Sequence, residues 1–145
     1  MWEGLALLAV SILSSPVPAT PTGCVGGLAA IHVMHEAGHD LAAVAEGVAP
    51  WRPGALWGDK WSEEQSGYTT ISRGGFVAQS WLVATTLDGC LAHGNTTHQI
   101  IYALRAKLSP DHAGDYGPVR YRGQLSAINV GLAAFLEGVA YEAHR

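Results

Sequence analysis

Charge is scarce in this chain. Asp, Glu, Lys and Arg together make up 14% of its 145 residues, against about 25% in an average soluble domain. The net charge is −4 and the eight Lys and Arg residues form no cluster. A nucleic-acid-binding surface needs a basic patch, so nucleic acid is excluded as a partner. Cysteine is nearly absent: Cys24 and Cys90 stand alone, with no CxxC, which excludes a cysteine-held zinc site. The pair either forms one disulfide in an oxidising compartment or stays as buried thiols, the more common fate. Long uninterrupted apolar runs are also missing, because every apolar segment of span length carries polar residues near its middle. In a membrane such residues must face a bundle interior or a cavity.

What is plentiful is small residues. Eighteen glycines and many alanines, with so little charge, suit helices that approach closely, as they do in a bilayer. Four segments are candidates for apolar helices: Trp2 to Leu13, Gly26 to Gly47, Gly75 to Ala92 and Gln124 to Tyr141. The first is short and lacks a basic flank, so residues 1–22 read as an anchor or signal-like segment. Pro21 ahead of Thr22-Gly23-Cys24 speaks against lipidation there. If all four segments span, Arg52, Lys60, Arg73 and Arg145 fall on one side and Arg105, Lys107, Arg120 and Arg122 on the other. Four against four gives no orientation. Between the second and third segments lie three tryptophans (Trp51, Trp57, Trp61) and the run Ser66 to Ser72. That run predicts a strand, half of a short β-hairpin with residues around Leu56 to Lys60. The expected fold is mainly α: a single domain over residues 1–145, a small bundle of about four apolar helices with a short β-hairpin after the second segment.

That second segment contains His35-Glu36-Ala37-Gly38-His39, the pattern HExxH. Histidines four apart on a helix lie one above the other, about 6 Å apart along the axis, and can converge on one zinc ion. Glu36 then lies toward the open side of the metal, where it can take a proton from an activated water. His32, His35, Glu36, His39 and Glu46 fall along one stripe of an otherwise apolar, proline-free helix. Burying so many titratable groups is costly unless they pair or hold a metal. His32 and His39 are about 10 Å apart along the axis, too far for three ligands from one straight helix, so His32 hydrogen-bonds nearby or lines the cavity.

A catalytic zinc takes a third protein ligand. The candidates, in order of preference, are Asp115, His112 and Asp88. Asp115 and His112 lie in the polar, turn-rich stretch Ser109 to Pro118, where a site loop is expected between two apolar helices. Tyr116, Tyr102 and His98 are candidates to stabilise an oxyanion, and the sequence does not separate them.

HEAGH within an alanine-rich apolar helix resembles the active-site helix of HExxH zinc metallopeptidases, in flavour the membrane-associated ones: the site-2 protease group and the FtsH-type proteases. The resemblance implies zinc ligation by His35 and His39, with Glu36 as general base. Gly74-Gly75-Phe76-Val77-Ala78-Gln79, read as a glycine pair opening a helix, is similar to a small-residue motif with an amide side chain beside the site-2 protease active site. Leu87-Asp88-Gly89 matches the family's source of a third ligand, but follows the glycine motif too closely and lacks the usual lead-in. The expectation is a membrane-localised zinc metalloendopeptidase, its partner a peptide or membrane-protein substrate. The alternatives are a soluble or secreted HExxH peptidase and a non-catalytic metal-binding membrane protein.

Overall fold

The computed structural model describes residues 24–48, 67–108, 114–116 and 122–145. Four helices account for nearly all of them: α1 (Val25–Ala45), α2 (Tyr68–Thr86), α3 (Gly89–Leu108) and α4 (Arg122–Ala143), with a 3-10 turn at Gly114–Tyr116. The architecture is a mainly α, four-helix bundle, and there is no strand among the described residues.

Helix α1 is the axis of the assembly and packs along both α2 and α3, while α4 lies against α3. Glycine sets how near these helices come. A Cβ on Gly74 would sit 2.5 Å from the Gly38 carbonyl oxygen, and one on Gly27 would sit 2.5 Å from that of Cys90. At both crossings only glycine lets backbone meet backbone. The contacts fix the directions. Gly38 of α1 meets Gly74 of α2 and Gly67 lies beside Glu46, so α1 and α2 are antiparallel. Gly27 meets Gly94 and His32 bonds His98, so α1 and α3 run parallel. His93 pairs with Glu137 at 2.7 Å, and the His144 Nε2–H donates to the Leu87 carbonyl at 2.8 Å, so α4 is antiparallel to α3.

The bundle therefore has two ends. One gathers Cys24, the α2–α3 turn and the end of α4. There Cys24 and Cys90 form a disulfide across 66 residues of chain, with Cα atoms 4.9 Å apart. Of the two fates open to these cysteines, pairing is the one found. Closing a loop of that length stabilises the fold by on the order of 4 kcal/mol through the unfolded state. The other end gathers the close of α1, the start of α2, the close of α3 and the start of α4.

Three expectations need correction. Tyr68 to Ser72 is the first turn of α2, not a strand. Thr69, Thr70 and Ile71 each cost only a few tenths of a kcal/mol in a helix, and full burial of Ile71 outweighs that cost. The partner segment, Leu56 to Lys60, lies outside the described residues, as do Trp2 to Leu13, the three tryptophans and His112. Gly74 and Gly75 lie inside α2 rather than opening it. Gly75 to Ala92 is not one segment: Leu87 adopts a left-handed conformation (φ 49°) and ends α2, and Asp88 caps the next helix through Oδ1, which accepts from Leu91 N–H at 2.8 Å. The polar run His93 to Gln99, which shows no apolar period of its own, is the middle of α3.

Among the described residues the interior mixes apolar side chains such as Ile31, Phe76 and Leu91 with polar ones. His35, Gln79, Asn95, His98 and Gln99 are buried, while Trp81, Leu104, Ile128, Phe135 and other large apolar side chains face outward. Among the described residues one helix, Arg122–Ala143, is long and apolar enough to cross a membrane, with mean hydropathy 1.2.

The glycine crossing is testable. Gly74→Val should lower the melting temperature, since overpacking costs about 1–3 kcal/mol. Gly26→Ala, at an exposed helical position with nothing within 4 Å of the added carbon, should hold or raise it. Equal melting temperatures for Gly74→Val and the unmodified chain would refute the close approach of α1 and α2.

Candidate metal centre

Four residues apart on α1, His35 and His39 point into the bundle with their Nε2 atoms 3.0 Å from each other. The 3-10 turn brings Asp115 to the same point. Its Oδ2 lies 3.2 Å from His35 Nε2 and its Oδ1 3.4 Å from His39 Nε2. One ligand atom from each of the three residues falls within 4.8 Å of the others. The edge of a tetrahedron around a zinc ion with ligand bonds near 2 Å is about 3.3 Å, which matches these spacings.

The opposite edge of each ring is already committed. His39 Nδ1 lies 2.7 Å from the Ile71 main-chain carbonyl, an obligate acceptor, so that nitrogen carries the proton. His35 Nδ1 lies 2.8 Å from Gln79 Oε1. The orientation of Gln79 is set in turn, because its Nε2 donates to Asn95 Oδ1 at 2.6 Å. With both Nδ1–H groups occupied, each neutral imidazole presents a bare Nε2 lone pair to the other and to a carboxylate. Three acceptors converging in a buried site repel one another unless a cation lies between them. A second-sphere carbonyl on the far ring nitrogen is also what orients histidine ligands. The residues therefore fit a metal ion, and a buried His35/His39/Asp115 group can hold one.

Around the group, aromatic rings limit where the imidazoles can go. His35 packs against Phe76, His98 and Tyr102 with ring centroids 4.8, 4.9 and 4.9 Å away, and Phe76 stacks on Tyr116. Gly75 makes room for the His35 ring, since a Cβ there would lie 2.6 Å from its Cε1 and Nδ1. His32 bonds His98 at 3.3 Å, in line with a role beside the ligands rather than among them. Glu36 is half-buried on α1 next to His35.

Burial, and then the Asp115 charge, push the Tyr116 hydroxyl up, so it stays a neutral donor.

The structure thus brings Asp115, the first-ranked third candidate, to the two histidines. Asp88 instead caps α3 near the disulfide end, and the likeness through Leu87-Asp88-Gly89 does not carry to the site. Tyr102, Tyr116 and His98 all join the aromatic shell. Sequence reasoning missed Asn95 and the Ile71 carbonyl, for which no pattern exists. Gln79 stood in the Gly74–Gln79 motif without an assigned contact.

Comparison with protein-family models, with curated proteins and with solved structures gives no match. The geometry stands without them.

Metal analysis should find about one divalent ion per chain. His39→Ala should abolish binding, because the remaining donors lose the chelate. Asp115→Ala should weaken affinity far more than Asp88→Ala. Gln79→Leu, which removes only the support to His35 Nδ1, should weaken it about 10–100-fold. Full occupancy in His39→Ala would rule out this centre.

Proposed function

We propose that this protein is a membrane-embedded zinc metallopeptidase. One observation carries the reading: two histidines of an HExxH helix and an aspartate present converging lone pairs at tetrahedral spacing, with the far edge of both rings already bonded. His35, His39 and Asp115 would hold the ion, a donor set of two imidazoles and a carboxylate of the kind that catalytic zinc takes. Bound there, zinc would polarise a peptide carbonyl and bring the pKa of a water to about 7.

The chain's own residues then handle the protons. Glu36, one residue from His35 and half-buried, is the general base. Its carboxylate takes a proton from the attacking water as the oxygen bonds to the carbonyl carbon. It delivers that proton to the nitrogen as the C–N bond breaks. Gln79 and the Ile71 carbonyl keep the imidazoles aimed. Tyr116, Tyr102 and His98 surround the site and carry O–H or N–H groups able to donate to an oxyanion. The resemblance of HEAGH to membrane-associated peptidases agrees with this chemistry, and the exposed large apolar side chains over an interior with buried polar groups support a bilayer as the solvent.

Glu36→Gln separates catalysis from metal binding. The amide is nearly isosteric but cannot accept the proton, so the variant should keep its zinc and lose peptide hydrolysis by about 10²–10⁴-fold. The assay is cleavage of a fluorogenic peptide mixture by the full chain in proteoliposomes. Hydrolysis at the unmodified rate would remove Glu36 from the reaction. Absence of any cleavage by the zinc-loaded, unmodified chain would favour a metal-binding protein without peptidase activity.

A further inference from the structure

The helix directions alter what the charges say about orientation. Because α2 and α3 form a hairpin at Leu87 and Asp88, the start of α2 and the close of α3 share an end of the bundle. Arg73, Arg105, Lys107 and Arg122 all belong to the half away from the disulfide. Among the described residues Arg145 alone follows α4 at the disulfide end. The apparent tie in the sequence becomes, for the described residues, four against one.

We propose that the bundle sits in its membrane with the Arg105–Lys107–Arg122 end at the cytoplasmic leaflet and the Cys24–Cys90 end in an oxidising, extracytoplasmic compartment. The proposal rests on the membrane reading above. Two independent observations support the direction. Lys and Arg near the ends of spans are retained on the cytoplasmic side, where anionic headgroups also attract them. Disulfides persist on the opposite side, where thiols are not kept reduced. Either observation alone would assign the same face.

The dimensions agree with a bilayer. Helices of 19 to 22 residues extend about 29–33 Å at 1.5 Å per residue, against about 30 Å for the hydrocarbon core; α4 alone among them also has the apolarity of a lipid-facing span, and α1 to α3 carry the polar groups that the bundle interior encloses. Large apolar side chains face outward along that length (Leu41, Val77, Trp81, Leu104, Ile128 and Phe135), and the exposed polar ones, such as Thr69, Thr86, Lys107 and Glu142, lie near the helix ends. Lipid acyl chains are the occupant this surface fits. The 3-10 turn enters from the basic end and is covered by protein, with Tyr116 buried against Phe76. Non-helical backbone is tolerated at membrane depth only under such cover. The metal centre therefore lies between the middle of the bundle and its cytoplasmic end, with His39 about 9 Å and His35 about 15 Å from the close of α1.

The test uses the full chain with its native cysteines, expressed in bacterial cells whose outer membrane is permeabilised. Two added cysteines report the two ends: Arg145→Cys, and Leu108→Cys at a position 82% exposed. A membrane-impermeant maleimide should label Arg145→Cys in intact cells and Leu108→Cys only after lysis. The unmodified chain, alkylated before and after reduction, should show Cys24 and Cys90 paired. The reverse labelling, or labelling of both ends in intact cells, would overturn the orientation while leaving the membrane reading in place. Alkali extraction distinguishes the other failure. Release of the chain from membranes by carbonate would reject the membrane reading itself, and the orientation with it. Reduced cysteines in the unmodified chain would also overturn the proposal, whether or not either variant folds.

Discussion

Two imidazole N–H groups, each donating to a carbonyl oxygen, decide what the interior of this bundle can contain. Once His39 is tied to Ile71 and His35 to Gln79, the lone pairs left over face one another and a carboxylate. A hydrophobic core could not tolerate that convergence, and a solvated surface would not need it. The close approach of α1 and α2 at Gly38 and Gly74, the space left for the His35 ring at Gly75, and the entry of the 3-10 turn all serve to bring these groups to one point. The fold is arranged around a place for positive charge.

Small residues carry much of that arrangement. Among the described residues the contiguous buried hydrophobic cluster is modest: Ile31, Val83, Leu91, Ala92 and Ala140. Backbone proximity at the glycine crossings and buried amide–imidazole bonds replace much of the usual side-chain interdigitation. This way of packing helices works where the surroundings are themselves apolar and give little reward for hiding leucine or phenylalanine. Outward-facing Phe135 and Trp81 are the counterpart of inward-facing Gln79 and Asn95.

Much of the site was legible in the sequence because its core is local. His35, Glu36 and His39 lie within one and a half turns of helix, and helical periodicity alone places them together. Asp115 was legible only as a member of a polar, turn-rich stretch; that it reaches back across 80 residues of chain is a property of the tertiary fold. Gln79 and Asn95 were harder still, since a buried amide supporting a ligand looks in sequence like any polar residue in a helix. The helices themselves were read well where the apolar pattern was plain, in α1 and α4. They were misread where β-branched residues suggested a strand at the start of α2, and where a buried polar face hid α3. In both cases an interior that is partly polar defeats the rule that apolar periodicity marks the inward face.

Of the three groups at the centre, two ride on a helix of 21 residues and the third on a turn of three. That asymmetry divides labour between recognition and retention. The histidine pair is set side by side by its own helix and aimed by α2 through Ile71 and Gln79, so an arriving ion would meet a bidentate seat once those two helices are packed. The aspartate closes the seat from a distant part of the chain, so an ion bound there would cross-link the first helix and the 3-10 turn. Residence of the metal and docking of that turn would then be a single event.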